Sequence, residues 1–210
     1  MTVRASSHLP VHPDSRTLLL ASSSPYRRAL LERFGWAFSA HAPDIDERPL
    51  AHESPHDLVS RLALAKARAL IQQHPHALVI GSDQVAVLDG QPLGKPGTEQ
   101  RAIAQLEAAS GRTVQFLTGL CLLDAASGAY ELEVVSTEVR FRTLDVHTIR
   151  NYVRREQPLD CAGSFKCEGL GIALFEAISS ADPTALIGLP LIALRAMLGR
   201  AGFDVLADSP

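Results

Sequence analysis

Side chains that could bind phosphate are concentrated where an apolar strand turns abruptly into a helix. Leu18 to Ala21 form a short apolar run, Ser24 is a good helix N-cap, and a proline follows at the first helical position. Such a junction points several free backbone N–H groups at one spot, where they attract an anion. Ser22, Ser24 and Arg27 add hydroxyl groups and a positive charge, so we expect a phosphate site here.

Two basic residues stand on helix faces that are otherwise apolar. At about 100° per residue, Arg27 lies on a stripe that continues through Leu30 and Phe34. Lys66 lies inside the apolar stripe of a helix predicted from Pro55 to Gln73. On the helices alone, each cation either extends to solvent along the stripe or binds an anion in a cleft.

A carboxylate interrupts the most apolar strand of the chain. Ala77 to Leu88 are apolar on both faces, which predicts a central strand, and Asp83 lies within it. A buried carboxylate costs several kcal/mol unless it is paired or binds a metal, so we favour a functional role for Asp83. Strict alternation points Gln84 to the other face, so both residues serve one pocket only if the strand kinks there.

An acidic loop, residues 41–49, precedes the helix that carries Lys66. It places Asp44, Asp46 and Glu47 beside prolines, a composition typical of a solvated turn. The same composition suits a metal-ligating loop, because Mg²⁺ prefers one or two carboxylates together with water and phosphate oxygens. Both interpretations stay open on these residues alone.

Two more charged residues stand in segments rich in glycine. Lys95 lies between glycine and proline in a tight turn, a setting that also fits a plain surface loop. Glu168 lies in a segment from Cys161 to Phe175 that runs into a strand, and its neighbours indicate a pocket wall. Cys161 and Cys167 have no obvious partner base, so we interpret them as structural thiols rather than nucleophiles.

The elements that must position these residues alternate between strand and helix. Arg112 to Leu123 and Tyr130 to Phe141 are predicted to be two long strands of a hairpin. Helices are predicted at Thr98 to Ala109, at Asp145 to Arg154 and from Pro190 onward. The pattern predicts an α/β fold, with an elongated mixed β-sheet flanked by helices and two lobes around a central cleft.

The composition of 210 residues, 46% hydrophobic and 20% charged, is ordinary for a globular protein. We expect one domain, residues 17–210, after a flexible extension, residues 1–16, that lacks the apolar core of a signal peptide. No stretch has the ~18 uninterrupted apolar residues of a membrane span. Three cysteines, at spacings that match neither a disulfide framework nor a zinc site, make the cytoplasm the expected location.

The charge of the chain limits its partners. A net charge of −3 without a Lys/Arg run argues against a nucleic-acid polymer and leaves room for a small anion. No Gly-x-x-x-x-Gly-Lys-Ser/Thr pattern occurs, which disfavours a kinase or GTPase of the P-loop type.

Several short motifs, in the same order, resemble those of Maf-like nucleoside triphosphate pyrophosphatases. They are Ala-Ser-Ser-Ser-Pro-Tyr-Arg-Arg, Asp-Ile-Asp-Glu, Arg-Leu-Ala-Leu-Ala-Lys-Ala, Gly-Ser-Asp-Gln, Gly-Lys-Pro, Phe-Leu-Thr-Gly and Gly-Leu-Pro, and they cover residues 17 to about 200. Gly-Ser-Asp-Gln together with Gly-Ser-Phe-Lys-Cys-Glu-Gly-Leu-Gly is similar to the YceF-type branch, which hydrolyses 7-methyl-GTP. Tyr26 departs from that branch, where Trp is frequent. The resemblance implies the Maf/Ham1, ITPase-like fold.

The resemblance also implies a role for each candidate residue. Asp83 would accept a proton and, with Glu47, hold a divalent metal cation, Mg²⁺ or Mn²⁺. Lys66 and Lys95 would complete the catalytic group. The triphosphate would be bound by Ser22, Ser24 and Arg27 together with both lysines. Base choice would be set by Tyr26, Gln84 and Glu168.

The activity implied by the resemblance is hydrolysis of the α–β phosphate bond of 7-methyl-GTP or a related modified nucleotide. The alternatives are a pyrophosphatase that prefers dTTP or UTP and a non-catalytic nucleotide-binding regulator of cell division. The expected partner is a small-molecule nucleotide, with no nucleic-acid polymer and no membrane. A homodimer is compatible with each of these three functions.

Overall fold

The computed structural model describes residues 16–206, so the expected N-terminal extension lies outside the described residues apart from Arg16. The strands of the described chain are β1 Leu18–Ala21, β2 Phe38–His41, β3 Leu78–Leu88, β4 Gln91–Leu93, β5 Thr113–Asp124, β6 Tyr130–Phe141 and β7 Phe175–Ser180. Its α-helices are α1 Pro25–Leu31, α2 Pro55–Arg68, α3 Glu99–Ala109, α4 Val146–Glu156 and α5 Leu191–Arg200. Short 3₁₀ turns lie at Glu32–Phe34, Ala162–Ser164, Leu170–Leu174 and Ala185–Ile187.

All of these strands belong to one mixed sheet. Its order is β2-β1-β3-β5-β6-β7, and β4 pairs with β3. Strand β1 runs parallel to both β2 and β3, and the later pairings are antiparallel. The expected elongated mixed sheet flanked by helices is therefore confirmed.

One edge of β3 is open in the middle. Strand β1 pairs with β3 only as far as Ala21 opposite Gly81, and β4 pairs with residues Ala86 to Leu88 of β3. Between these partners, residues 82–85 have no strand beside them on that side in the described part of the chain. A gap at a sheet edge lets side chains from both faces of the strand reach the same space, because neighbouring residues alternate between the faces.

The apolar core forms two main clusters along the long strands. One cluster lies around α1 and α5 and includes Leu30 and Leu194. The other lies around α3 and α4 and includes Leu106, Phe116 and Ile149. Strands β3 and β5 contribute to both clusters, so they join the two lobes that flank the gap.

Helix α2 packs against the sheet with almost no space between the two backbones. A Cβ atom added to Gly81 would overlap the carbonyl oxygen of Ala63 and lie 3.0 Å from the amide nitrogen of Ala67. A Cβ atom on Gly119 of β5 would overlap the carbonyl oxygen of Val59. These glycines set the distance between α2 and β3, and with it the reach of any side chain between them.

Several element boundaries differ from the sequence prediction. Helix α2 ends at Arg68 instead of Gln73, and turns continue the chain to the next strand. Helix α4 continues to Glu156, two residues beyond the predicted end at Arg154. None of the helices within residues 16–206 is long and apolar enough to span a membrane.

We predict that Gly81→Ala lowers the free energy of unfolding by about 3 kcal/mol, the upper end of the cost of overpacking. The added methyl group can only be accommodated if α2 moves away from the sheet. The measurement is urea denaturation, with Gly199→Ala as the control, since Gly199 lies in α5 with open space around its Cβ position. Equal stability of Gly81→Ala and the wild type would contradict this packing.

Candidate active site

A cleft of about 340 Å³ opens at the gap in the edge of β3. It is bounded by the β1–α1 junction, the loop before α2, the turn after β4 and the segment after α4. Nine of the ten residues singled out from the sequence line it: Ser22, Ser24, Tyr26, Arg27, Glu47, Lys66, Gln84, Lys95 and Glu168. The tenth, Asp83, does not line the cleft but contacts Lys66, which does.

The pairing of β3 with β5 has no irregularity at Asp83 and Gln84. The register of β3 with β5 is continuous, with Asp83 opposite Gly119 and Gln84 opposite Thr118. Asp83 faces α2, and Gln84 faces the 3₁₀ turn at Ala185–Ile187. Gln84 therefore lines the cleft, whereas Asp83 reaches it only through its contact with Lys66, as strict alternation of the strand requires.

The ammonium group of Lys66 lies between two carboxylates. Its Nζ is 2.7 Å from Oδ1 of Asp83 and 2.8 Å from Oε1 of Glu47. Lys66 is 6% exposed and Asp83 is 8% exposed, so each charge is removed from water. Leaving either partner of such a buried ion pair without the other is costly. The candidate lysine in the apolar stripe is therefore matched by the candidate carboxylate in the apolar strand.

Glu47 joins this pair from an exposed loop. Burial alone would raise the pKa of its carboxyl group, but the hydrogen bond and charge of Lys66, with Lys95 and Arg27 behind them, hold the pKa below its ordinary value. The loop is tied to α2 by Arg61, which donates to both carboxylate oxygens of Glu53 and to the carbonyl oxygen of Arg48. The carboxylate of Glu47 therefore faces the cations in its ionised form.

Arg27 is held by a backbone carbonyl of the segment between β7 and α5. Its Nε donates to the carbonyl oxygen of Gly188 at 2.8 Å, and Oγ of Ser82 donates to the same oxygen at 2.9 Å. Burial lowers the pKa of the guanidinium, and the negative charges of Asp83 and Glu47 oppose that shift. Arginine keeps its charge in proteins, so Arg27 brings a fixed cation to the cleft.

The serines at the β1–α1 junction have structural contacts as well as access to the cleft. The hydroxyl of Ser22 accepts from the amide of Ser24 at 3.1 Å. The hydroxyl of Ser24 accepts from the amide of Arg27 at 3.4 Å, which makes Ser24 the N-cap expected from the sequence. Their predicted contact with phosphate stays a prediction.

Gln84 presents an acceptor to the cleft. Its Nε2 donates to Oγ1 of Thr118 at 2.9 Å and to the carbonyl oxygens of Ala185 and Leu186 at 2.8 and 3.1 Å. An amide NH₂ has two hydrogens, and these contacts use them. The amide oxygen is therefore the group that Gln84 offers to a ligand.

Glu168 and Tyr26 lie together with residues that the sequence did not single out. The thiol of Cys167 donates to Oε2 of Glu168 at 3.3 Å, and the hydroxyl of Tyr26 lies beside the ammonium group of Lys166. Asp160 lines the same part of the cleft. The sequence offered one indication of a role for Lys166 and Asp160, their position near Glu168 and the cysteines. Charged residues are common in loops, so this indication was too weak to select them.

The cysteines of this segment are poor nucleophiles. Burial and the adjacent carboxylate of Asp160 raise the pKa of Cys161 to about 12, and burial with the charge of Glu168 does the same for Cys167. A thiol with such a pKa stays protonated at neutral pH, and the thiolate is the reactive form. Their interpretation as structural thiols agrees with this environment.

Comparison with known proteins assigns the chain to a family. A family model described as Maf-like protein matches residues 17–201. The chain belongs to the Maf-like family. Among its similar relatives are proteins named 7-methyl-GTP pyrophosphatase from three bacteria. The one from Nitrosococcus oceani is 56% identical over 92% of this chain and 98% of its own length. The one from Polaromonas sp. is 54% identical over 93% of this chain and 90% of its own length. The one from Pseudomonas aeruginosa is 56% identical over 90% of this chain and 98% of its own length.

The acidic side chains of this Maf-like protein fit a hard divalent cation only in part. Within residues 16–206, no three His, Cys, Asp or Glu side chains converge to hold a metal. Glu47 and Asp83 do meet at Lys66, and that contact uses one oxygen of each. Mg²⁺ is held in many enzymes by one or two carboxylates, with substrate phosphates and water completing its shell. The pair therefore suits a cation that arrives with a phosphorylated ligand.

We predict that Lys66→Met lowers the free energy of unfolding by about 3 kcal/mol, because it leaves the buried carboxylate of Asp83 without its partner. The double variant Lys66→Met/Asp83→Asn should lose clearly less than the sum of the single variants. Urea denaturation measures both, with the exposed cleft residue Lys95→Met as a control expected within about 0.5 kcal/mol of the wild type. Additive effects of the two substitutions would show that the ion pair contributes nothing.

Proposed function

We propose that this chain hydrolyses the α–β phosphate bond of 7-methyl-GTP, or of a related modified nucleotide, to the monophosphate and pyrophosphate. The proposal is supported by the names of relatives that are 54–56% identical over nearly the whole chain. The observation that carries it is the lining of the cleft. The cations Arg27, Lys66 and Lys95 lie around Glu47 and are called the cationic end below, and the acceptors Gln84 and Glu168 are called the acceptor end.

The cationic end suits a triphosphate. Arg27, Lys66 and Lys95 line one side of the cleft and supply three positive charges against the roughly four negative charges of a nucleoside triphosphate. The hydroxyl of Ser22 and the amides of the β1–α1 junction add neutral donors beside them. Hydrolysis of a phosphoanhydride depends mostly on positioning and charge neutralisation, and these groups provide both.

Asp83 is the residue that accepts the proton of the attacking water in this proposal. Its Oδ1 lies 2.7 Å from the ammonium group of Lys66, one of the cations that would bind the substrate phosphates. When the ammonium of Lys66 engages the substrate phosphates, the carboxylates of Asp83 and Glu47 become available on the cleft side. A divalent cation, Mg²⁺ or Mn²⁺, held by these two carboxylates would neutralise charge on the phosphates.

The acceptor end suits the pairing edge of guanine. Gln84 offers its amide oxygen and Glu168 a carboxylate, and guanine carries N1–H and N2–H donors that two such groups can accept. Methylation at N7 makes the ring cationic, and a cation is favoured over the face of an aromatic ring such as Tyr26. Uracil and thymine have a single N–H donor on that edge and no fixed charge, so they match this end less well.

We predict that the purified protein releases pyrophosphate when Mg²⁺ and 7-methyl-GTP are added, and releases it faster than from GTP, UTP or dTTP. In Asp83→Asn the rate should fall roughly a hundredfold or more, as expected for a lost general base, while the fold is kept. Pyrophosphate release and circular dichroism are the measurements. A protein that binds nucleotides without releasing pyrophosphate would instead be a nucleotide-binding regulator, and preference for UTP or dTTP would overturn the choice of substrate.

We predict that Glu168→Gln lowers the ratio of kcat/KM for 7-methyl-GTP over UTP by roughly tenfold, because hydrogen bonds to a charged acceptor are the stronger ones. The amide also carries donors that repel the donors of guanine. The control is Glu107→Gln, which removes the same charge from an exposed site on α3 outside the cleft. An unchanged ratio in Glu168→Gln would remove this residue from base recognition.

A further inference from the structure

The segment between β7 and α5 supplies backbone carbonyls that orient two cleft residues. The carbonyl oxygen of Gly188 accepts from Nε of Arg27 at 2.8 Å, and those of Ala185 and Leu186 accept from the amide of Gln84 at 2.8 and 3.1 Å. Arg27 belongs to the cationic end of the cleft and Gln84 to the acceptor end. The orientation of both side chains therefore depends on the position of the carbonyl groups in this segment.

A buried carboxylate fixes the ends of that segment. Asp182 is 2% exposed, and its Oδ1 accepts from the amide and the hydroxyl of Thr184 at 3.0 and 2.6 Å. Its Oδ2 accepts from the amides of Ile192 and Ala193, in the first turn of α5, at 2.7 and 3.4 Å. The hydroxyl of Thr184 also accepts from the amide of Leu191 at 2.8 Å. One side chain thus joins the start of the segment to the helix that follows it.

Asp182 and Thr184 form a clamp between the segment and α5, and neither residue lines the cleft. Leu186 and Ile187 do line it, whereas Asp182 and Thr184 lie behind them among the hydrogen bonds just described. A helix N-terminus favours a negative charge, so the carboxylate of Asp182 is stable in this buried place. Its effect on a ligand can only pass through the carbonyls of the segment.

We propose that Asp182 and Thr184 are positioning residues that set base choice and phosphate binding together. They hold the loop so that Gln84 turns its amide oxygen, and not its NH₂ group, toward the base, while Gly188 aims Arg27 at the phosphates. If the segment is released, the amide of Gln84 loses Ala185 and Leu186 and keeps only Thr118 as an acceptor. The amide can then rotate and present a donor, which removes the preference for guanine. This inference rests on the proposed function.

The test compares Thr184→Val with Thr184→Ser. Valine keeps the shape of threonine but deletes the hydroxyl's bonds to Asp182 and Leu191, whereas serine keeps the hydroxyl group that makes them. In Thr184→Val we expect kcat/KM for 7-methyl-GTP to fall about tenfold and the ratio of kcat/KM for 7-methyl-GTP over UTP to fall about fivefold. Thr184→Ser should restore the ratio to within twofold of the wild type.

A matched control is available at another helix. The hydroxyl of Thr148 donates to Oδ2 of Asp145 at 2.8 Å, and the same carboxylate caps α4, away from the cleft. Thr148→Val therefore deletes the same kind of bond and should leave the substrate ratio unchanged. If Thr184→Val yields no folded protein, Asp182→Asn, which keeps the size of the side chain, takes its place in the comparison.

The substrate ratio separates positioning from a loss of stability. Partial unfolding reduces the concentration of active enzyme and lowers kcat/KM for every substrate by the same factor, so the ratio stays constant. A lower kcat/KM with an unchanged ratio would therefore overturn the positioning role. A wild-type protein that releases no pyrophosphate from 7-methyl-GTP would overturn the proposed function and, with it, this inference.

Discussion

The ammonium group of Lys66, between the carboxylates of Asp83 and Glu47, is the contact on which the rest of the cleft depends. A lysine on the apolar face of α2 and an aspartate inside a central strand are each costly to bury alone. They can meet because Gly81 and Gly119 leave no side chain between α2 and the sheet. The close backbone packing and the buried ion pair are therefore two parts of one arrangement.

The gap in the sheet gives this arrangement its access to a ligand. Strand β1 ends opposite Gly81 and β4 ends opposite Ala86, so the middle of β3 is open on one side. Residues from its two faces border the same space, Asp83 through Lys66 and Gln84 directly. A continuous sheet would separate these residues by the thickness of the sheet. The short length of β1 is thus as important to the cleft as any charged side chain.

The sequence predicts the parts of this site better than the connections between them. Arg27, Lys66 and Asp83 are visible from one sequence because a charge within an apolar pattern is unusual, and the resemblance to a family adds Lys95 and Glu168. The open edge of β3 is not visible, because hydrophobic periodicity shows that a strand exists and not where its neighbour ends. The carbonyl of Gly188 could not be predicted either, since every residue has a carbonyl and only the folded chain shows which one meets Arg27. The buried Asp182 next to a proline has the pattern of an ordinary turn residue.

In the function proposed above, the cleft holds a nucleoside triphosphate so that water attacks its α-phosphorus. The most direct measurement is hydrolysis of 7-methyl-GTP in water enriched in oxygen-18, followed by mass spectrometry of both products. The account predicts one labelled oxygen in 7-methyl-GMP and none in pyrophosphate. Label in pyrophosphate would mean attack at the β-phosphorus, and release of orthophosphate would mean cleavage at the terminal phosphate; either result would contradict the account.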